Sequence, residues 1–235
     1  MLQSPWLAMV LTFVTALVWL RINDFMAHKG WVDSKLSRKF IHIGTGPIFV
    51  LCWLLFPNVL VSRFLAALVP AGITVQFAAV GFGIIKDQPA VDALSRSGDR
   101  REILKGPLFY GIVFVILTIV FWTDSVVGII ALMVLCGGDG LADVIGTRVK
   151  SAKLKWSKNK TWAGTLGVFF GGLVFSVIVI DVFVANGVFP GPIGDHFWRL
   201  AVIAFGAAVV ESMPVKDIDN LTVPLVSILL GSLLY

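Results

Sequence analysis

Eight stretches of this chain are too apolar for any surface: residues 5–20, 41–57, 59–85, 107–122, 125–145, 163–185, 197–210 and 221–235. Several are shorter than the ~20 residues a helix needs to cross hydrocarbon, so the pattern predicts seven or eight spans. With 57% of residues hydrophobic, 14% charged and a mean hydropathy of +0.92, a soluble domain is excluded. The fold class is all-α, a polytopic transmembrane helical bundle. The polar segments 21–40, 86–106 and 150–162 are only loop-sized, so residues 1–235 form a single integral-membrane domain.

The basic residues orient the bundle, because Lys and Arg in short loops stay on the cytoplasmic side. All except Arg63 and Arg199 fall in the loops after the first, third, fifth and seventh spans. Eight spans then put both termini on the non-cytoplasmic side. The net charge of +5 reflects this bias and an attraction for phosphates; no basic face with interleaved aromatics suggests nucleic acid. Cys52 and Cys136 lie in or beside apolar spans and read as packing residues, without a disulfide framework or a cysteine metal site. No basic segment precedes the first apolar run and no transit-type segment is present, so the first span is expected to be retained. The tryptophans cluster near span ends and read as interfacial anchors, and residues 190–194 read as a turn-rich connector.

Chemistry concentrates where a span dissolves into Gly137, Gly138, Asp139, Gly140, Leu141, Ala142 and Asp143. Ionisable groups in a membrane are costly and mark function. Four-residue spacing stacks Asp139 and Asp143 on one helical face, and paired carboxylates repel unless a cation sits between them. Mg²⁺ binds through one or two carboxylates plus substrate phosphates. Gly138 and Gly140 would let backbone approach a phosphate. Downstream, Lys153, Asn159, Lys160, Thr161 and Gly164 lead into the next span, where helix amides and the lysine can face an anion. Lys160 could instead simply snorkel to the interface. No P-loop motif is present.

Three further clusters sit at span mouths on the same side. Arg38, Lys39 and His42 open the second span, and His42 reads as a general base, a phosphate ligand or an interhelical hydrogen-bond partner. Arg101, Glu102 and Lys105 precede Pro107. Glu102 and Lys105 can form a plain surface pair, or Arg101 and Lys105 can bind phosphates with Glu102 on a metal or lysine. Glu211 closes the seventh span, and Asp219 and Asn220 open the eighth, where capping alone would explain the last two. A transporter would show inverted repeats and midplane polar residues, and a structural subunit would leave four convergent clusters idle.

Residues 38–44 (RKFIHIG), 101–107 (REILKGP), 138–146 (GDGLADVIG), 156–164 (WSKNKTWAG) and 219–224 (DNLTVP) together resemble the CTP-dependent polyprenol kinase family, most closely its phytol kinases. The resemblance runs from Arg38 to the C-terminus and implies transfer of the γ-phosphate of CTP, or UTP, to phytol or a related prenyl alcohol such as geranylgeraniol. It further implies Mg²⁺ on Asp139 and Asp143, catalysis by Asp139, Asp143, His42 and Lys160, and nucleotide binding by the other residues of the four clusters. A cyanobacterial or chloroplast-type membrane, phytol salvage and tocopherol-type biosynthesis follow from the same resemblance. The closing part is also similar in outline to CDP-diacylglycerol synthases, membrane cytidylyltransferases that attack the α-phosphate of CTP; the 38–44 and 101–107 stretches favour the kinase.

Overall fold

A run hydrophobic on every side belongs at the centre of a bundle, and residues 126–136 are such a run. In the computed structural model all eleven are buried. The structure describes the chain apart from residues 33, 96 and 215–217 and apart from the side chains of Asp24, Ser34, Lys35, Arg38, Ala93 and Lys158. The basic residues Arg96 and Lys216 therefore lie outside the described residues.

The helices are α1 (Pro5–His28), α2 (Ser34–Leu51) with a 3₁₀ tail (Cys52–Leu55), α3 (Leu60–Phe82), α4 (Gln88–Leu94) and, after a 3₁₀ turn (Arg100–Leu104), α5 (Gly106–Val120). Next come α6 (Val126–Met133), a π-helical turn (Val134–Asp139), α7 (Gly140–Arg148), and α8 (Trp162–Ala185), α9 (Ile193–Glu211) and α10 (Asp219–Leu234). α6 and the π turn form the axis, while α1, with only 11% of its apolar window buried, lies at the periphery.

Among the described residues six helices are long and apolar enough to cross a membrane, fewer than the seven or eight expected. The two shortfalls, residues 39–55 and α10, are too short for an ordinary span. Both nevertheless run from one pole of the bundle to the other. Leu2 N–H donates to Leu55 O (2.8 Å) at the end of α2 far from Lys39, and Tyr235 Oη lies 3.2 Å from His196 Nδ1 at the end of α10 far from Asn220.

The lysine-rich connector is not a plain loop. It folds into an antiparallel hairpin of β1 (Lys153–Leu154) and β2 (Ser157–Thr161), pairing Lys153 with Thr161 and Leu154 with Ser157. At its turn Trp156 Nε1 donates to Ser212 O (3.1 Å) and Oγ (3.2 Å), which pins the hairpin to the end of α9.

The tryptophans divide. Trp6, Trp31, Trp156, Trp162 and Trp198 are about half exposed or more, as anchors would be, but Trp53 and Trp122 are fully buried and stack 4.9 Å apart in the core.

Glycines set how closely the central helices approach. A Cβ on Gly171 of α8 would run into the Gly137 carbonyl, and one on Gly167 would sit 3.0 Å from Ala142 Cα. The π turn thus lies backbone to backbone against α8, the small-residue packing of membrane helices. Such wide turns recur at functional sites, and this one ends on Asp139.

Candidate active site

α2 and the π turn with α7 run antiparallel, so residues one turn apart on each meet as two rungs. Lys39 Nζ lies 2.7 Å from Asp143 Oδ2, and His42 Nε2 lies 3.5 Å from Asp139 Oδ2. The expected shared face of the two aspartates is therefore realised, and it looks at α2. The rungs differ in depth: the Asp143 side chain is 62% exposed and that of Asp139 34%. His42 Nε2 is closed to solvent and, among the described residues, has no hydrogen-bond partner besides this ionic contact.

Lys160 carries the second half of the site. It sits at the end of β2, one residue before Thr161, whose Oγ1 caps α8 by accepting Gly164 N–H (3.1 Å). Because Trp156 ties the hairpin to Ser212, the lysine is delivered beside Glu211. Its ammonium donates to Glu211 Oε1 and to Asp219 Oδ2 (3.0 Å). Burial works to lower the Lys160 pKa, but the bonds and charges of Glu211 and Asp219 outweigh it and hold the group above the ordinary lysine value. Asn220 Nδ2 donates to Gly106 O (2.8 Å), so the start of α10 is stitched to the backbone after Lys105. Glu211 also lies within the field of Asp139, which links the two halves.

Among the described side chains Asp143, Glu211 and Asp219 pair with the ammonium groups of Lys39 and Lys160, and Asp139 faces the His42 imidazole. Among the described residues no three His, Cys, Asp or Glu groups converge as a ready-made metal cage.

Other expected site residues find different roles. Gly138 and Gly140 do not bare backbone toward a ligand. Both are buried, with Gly138 against the Val168 carbonyl and Gly140 against Ile43, because α8 and α2 occupy the space a side chain would take. Gly164 is likewise a close-packing position, 3.7 Å from Gly146 Cα by its would-be Cβ, and the Thr161 hydroxyl serves as a cap. Asp219 pairs with Lys160 and Asn220 bonds Gly106, so neither acts only as a cap. Glu102 accepts from Ser97 N (3.3 Å) and Oγ (2.9 Å), bracing the loop before α5. Arg101, Lys105, Lys153 and Asn159 are exposed at the same pole, and the Arg38 side chain lies outside the described residues.

Sequence reasoning missed Tyr110, whose ring packs on His42 and whose hydroxyl reaches Cys136 Sγ, and it missed Trp156 and Ser212 as the clasp behind Lys160. A tyrosine three residues into an apolar helix after Pro107 was the one signal available.

The chain is 38% identical to "Probable phytol kinase 3, chloroplastic" of Glycine max over 99% of its own length and 73% of that protein. It is 40% identical to "Farnesol kinase, chloroplastic" of Arabidopsis thaliana over 88% of this chain and 68% of that one, and 34% identical to "Phytol kinase 1, chloroplastic" of the same plant over the same shares. The chain belongs to the phytol kinase family. No family model and no solved structure matches it. Within this family member the matched length takes in every element that builds the pole just described, since 99% of the chain aligns.

Proposed function

We propose that this protein phosphorylates a prenyl alcohol, phytol or a related isoprenoid, taking the γ-phosphate of CTP or UTP, in a cyanobacterial or plastid-type membrane. The observation that carries the reading is the gathering of His42, Asp139, Asp143, Lys160, Glu211 and Asp219 at one pole of a membrane bundle in a chain whose relatives are named phytol and farnesol kinases.

A prenyl alcohol partitions with its chain in the bilayer and its hydroxyl at the surface, and the cytoplasmic or stromal face is the side on which nucleotide is available. Phosphoryl transfer through a loose transition state requires mainly alignment and charge neutralisation. Asp139 and Asp143 would hold Mg²⁺, which supplies neutralisation of the nucleotide phosphates. Lys160, with Lys105 and Arg101, supplies fixed positive charge to the transferring group. Glu211 and Asp219 accept from the Lys160 ammonium and keep it charged at the site. His42 Nε2 and the Asp139 carboxylate face each other, and either takes the acceptor hydroxyl's proton.

Incubating membranes that contain the protein with phytol, Mg²⁺ and each of the four nucleoside triphosphates in turn tests the donor. Phytyl monophosphate, measured by mass spectrometry, should form with CTP or UTP; formation with ATP or GTP alone would remove the pyrimidine assignment.

A further inference from the structure

Tyr110 lies outside every motif that pointed to the site, yet it touches its centre. Its ring packs on the His42 imidazole at 4.7 Å between centroids with a 38° tilt. Its hydroxyl donates to the His42 carbonyl at 3.2 Å and meets Cys136 Sγ at 3.0 Å. One side chain of α5 therefore fixes both the backbone and the ring of His42 and ties them to the π turn that ends on Asp139. The space is closed around it: a Cβ on Gly46, one turn beyond His42 on α2, would run into Cys136 Sγ.

Tyr110 is itself locked from below. It packs on Phe114 at 4.7 Å, and the contacts continue through Phe49 (5.9 Å), Trp53 (6.1 Å), Trp122 (4.9 Å) and Phe56 (5.6 Å), a ladder of rings between α2 and α5. Phe49, Trp53, Phe56, Phe114 and Trp122 are all buried. Side chains that orient reacting groups need their own rotamers held by packing, and the ladder does this for Tyr110. Among the described residues His42 Nε2 has no hydrogen bond of its own to hold the ring toward Asp139.

We infer that Tyr110 is a positioning residue for phosphoryl transfer, holding the His42 imidazole against Asp139. The inference rests on the kinase reading above. It is tested on the full chain in lipid nanodiscs with Tyr110→Leu, which removes ring packing and hydroxyl, and Tyr110→Phe, which removes only the hydroxyl. Phe183→Leu, a fully buried ring at the opposite pole, controls for lost packing.

Tyr110→Leu should lower kcat on the order of 10²-fold, the cost of a misplaced group, with KM for CTP unchanged. Tyr110→Phe should lose about 2- to 10-fold, the worth of one hydrogen bond, and Phe183→Leu should keep kcat per folded molecule. The ¹⁵N imidazole signal of His42, assigned with His42→Gln, should shift in Tyr110→Leu and not in Phe183→Leu. Wild-type kcat in Tyr110→Leu, an equal loss in Phe183→Leu or an unmoved His42 signal overturns the proposal. Should the Leu variant fail to fold, wild-type kcat in Tyr110→Phe overturns it instead. If the wild-type protein phosphorylates no prenyl alcohol, the kinase reading falls, and the His42 signal alone still decides whether Tyr110 positions the ring.

Discussion

Replacing Asp139 by Asn is expected to lower phosphoryl transfer by at least about 10²–10³-fold, the scale on which a single preorganised electrostatic group acts, while the protein stays folded in the membrane. Asn keeps the shape of the side chain, and its amide can still bond His42 across the 3.5 Å contact. Removing one negative charge beside the buried Glu211 even relieves like-charge repulsion. The loss should therefore fall on kcat and not on thermal stability. Turnover of phytol by purified Asp139→Asn, compared with its unfolding temperature, separates the two. Normal turnover would take Asp139 out of the site.

Lys160→Met should behave in the opposite way on stability. The ammonium is the shared partner of Glu211, which is 5% exposed, and of Asp219. Breaking a buried pair by removing one member costs about 3–5 kcal/mol, because the other charge is left uncompensated. For a chain of this size that is a drop of roughly 10 °C in unfolding temperature. Activity should be lost with it. Adding Glu211→Gln to Lys160→Met should recover most of the stability without the activity, since the buried stranded charge is gone and only the partly exposed Asp219 stays without the lysine, while the phosphate-facing cation is not restored. A stable single variant would mean the pair does not hold β2, α9 and α10 together, and an active one would remove Lys160 from catalysis. In the wild-type protein the folded pKa of Lys160 is raised, so the contribution of the lysine's titration is complete below the ordinary lysine value of 10.5 and is lost only as pH rises through the higher folded value. Titration of Lys160 should accordingly give no step in unfolding temperature across neutral pH.

The membrane bundle was legible in the sequence because apolar runs and alternate-loop lysines report solvent and sidedness directly, one residue at a time. The gathering of Lys39, His42, Asp139, Asp143, Lys160, Glu211 and Asp219 was legible for the same reason: each sits at a span mouth on the basic side, and a bundle brings such mouths together. What pairs with what was not. That Lys39 meets Asp143 while Lys160 meets Glu211 depends on which helices are neighbours, and nothing local to Lys160 encodes α9 and α10.

The misread residues share a physical cause. Gly138 and Gly140 look the same in sequence whether the missing side chain admits a phosphate or a neighbouring helix, and here the helices fill the gap. Trp53 and Trp122 stand near span ends like the anchoring tryptophans, but the 3₁₀ tail of α2 and the turn after α5 fold their rings inward. The π turn at Val134–Asp139 leaves no mark in the hydropathy pattern, because every residue before Asp139 is buried whichever way the helix winds. Residues 39–55 and α10 carry the apolarity of spans without the length, which sets them apart from the six longer helices.

The most direct test supplies membranes containing the protein with phytol, Mg²⁺ and CTP labelled separately in the γ-phosphate and in the cytosine. Label from the γ-phosphate alone in the lipid phase, with CDP released, is the predicted result; cytosine label in the lipid, with pyrophosphate released, would contradict it and make the protein a cytidylyltransferase.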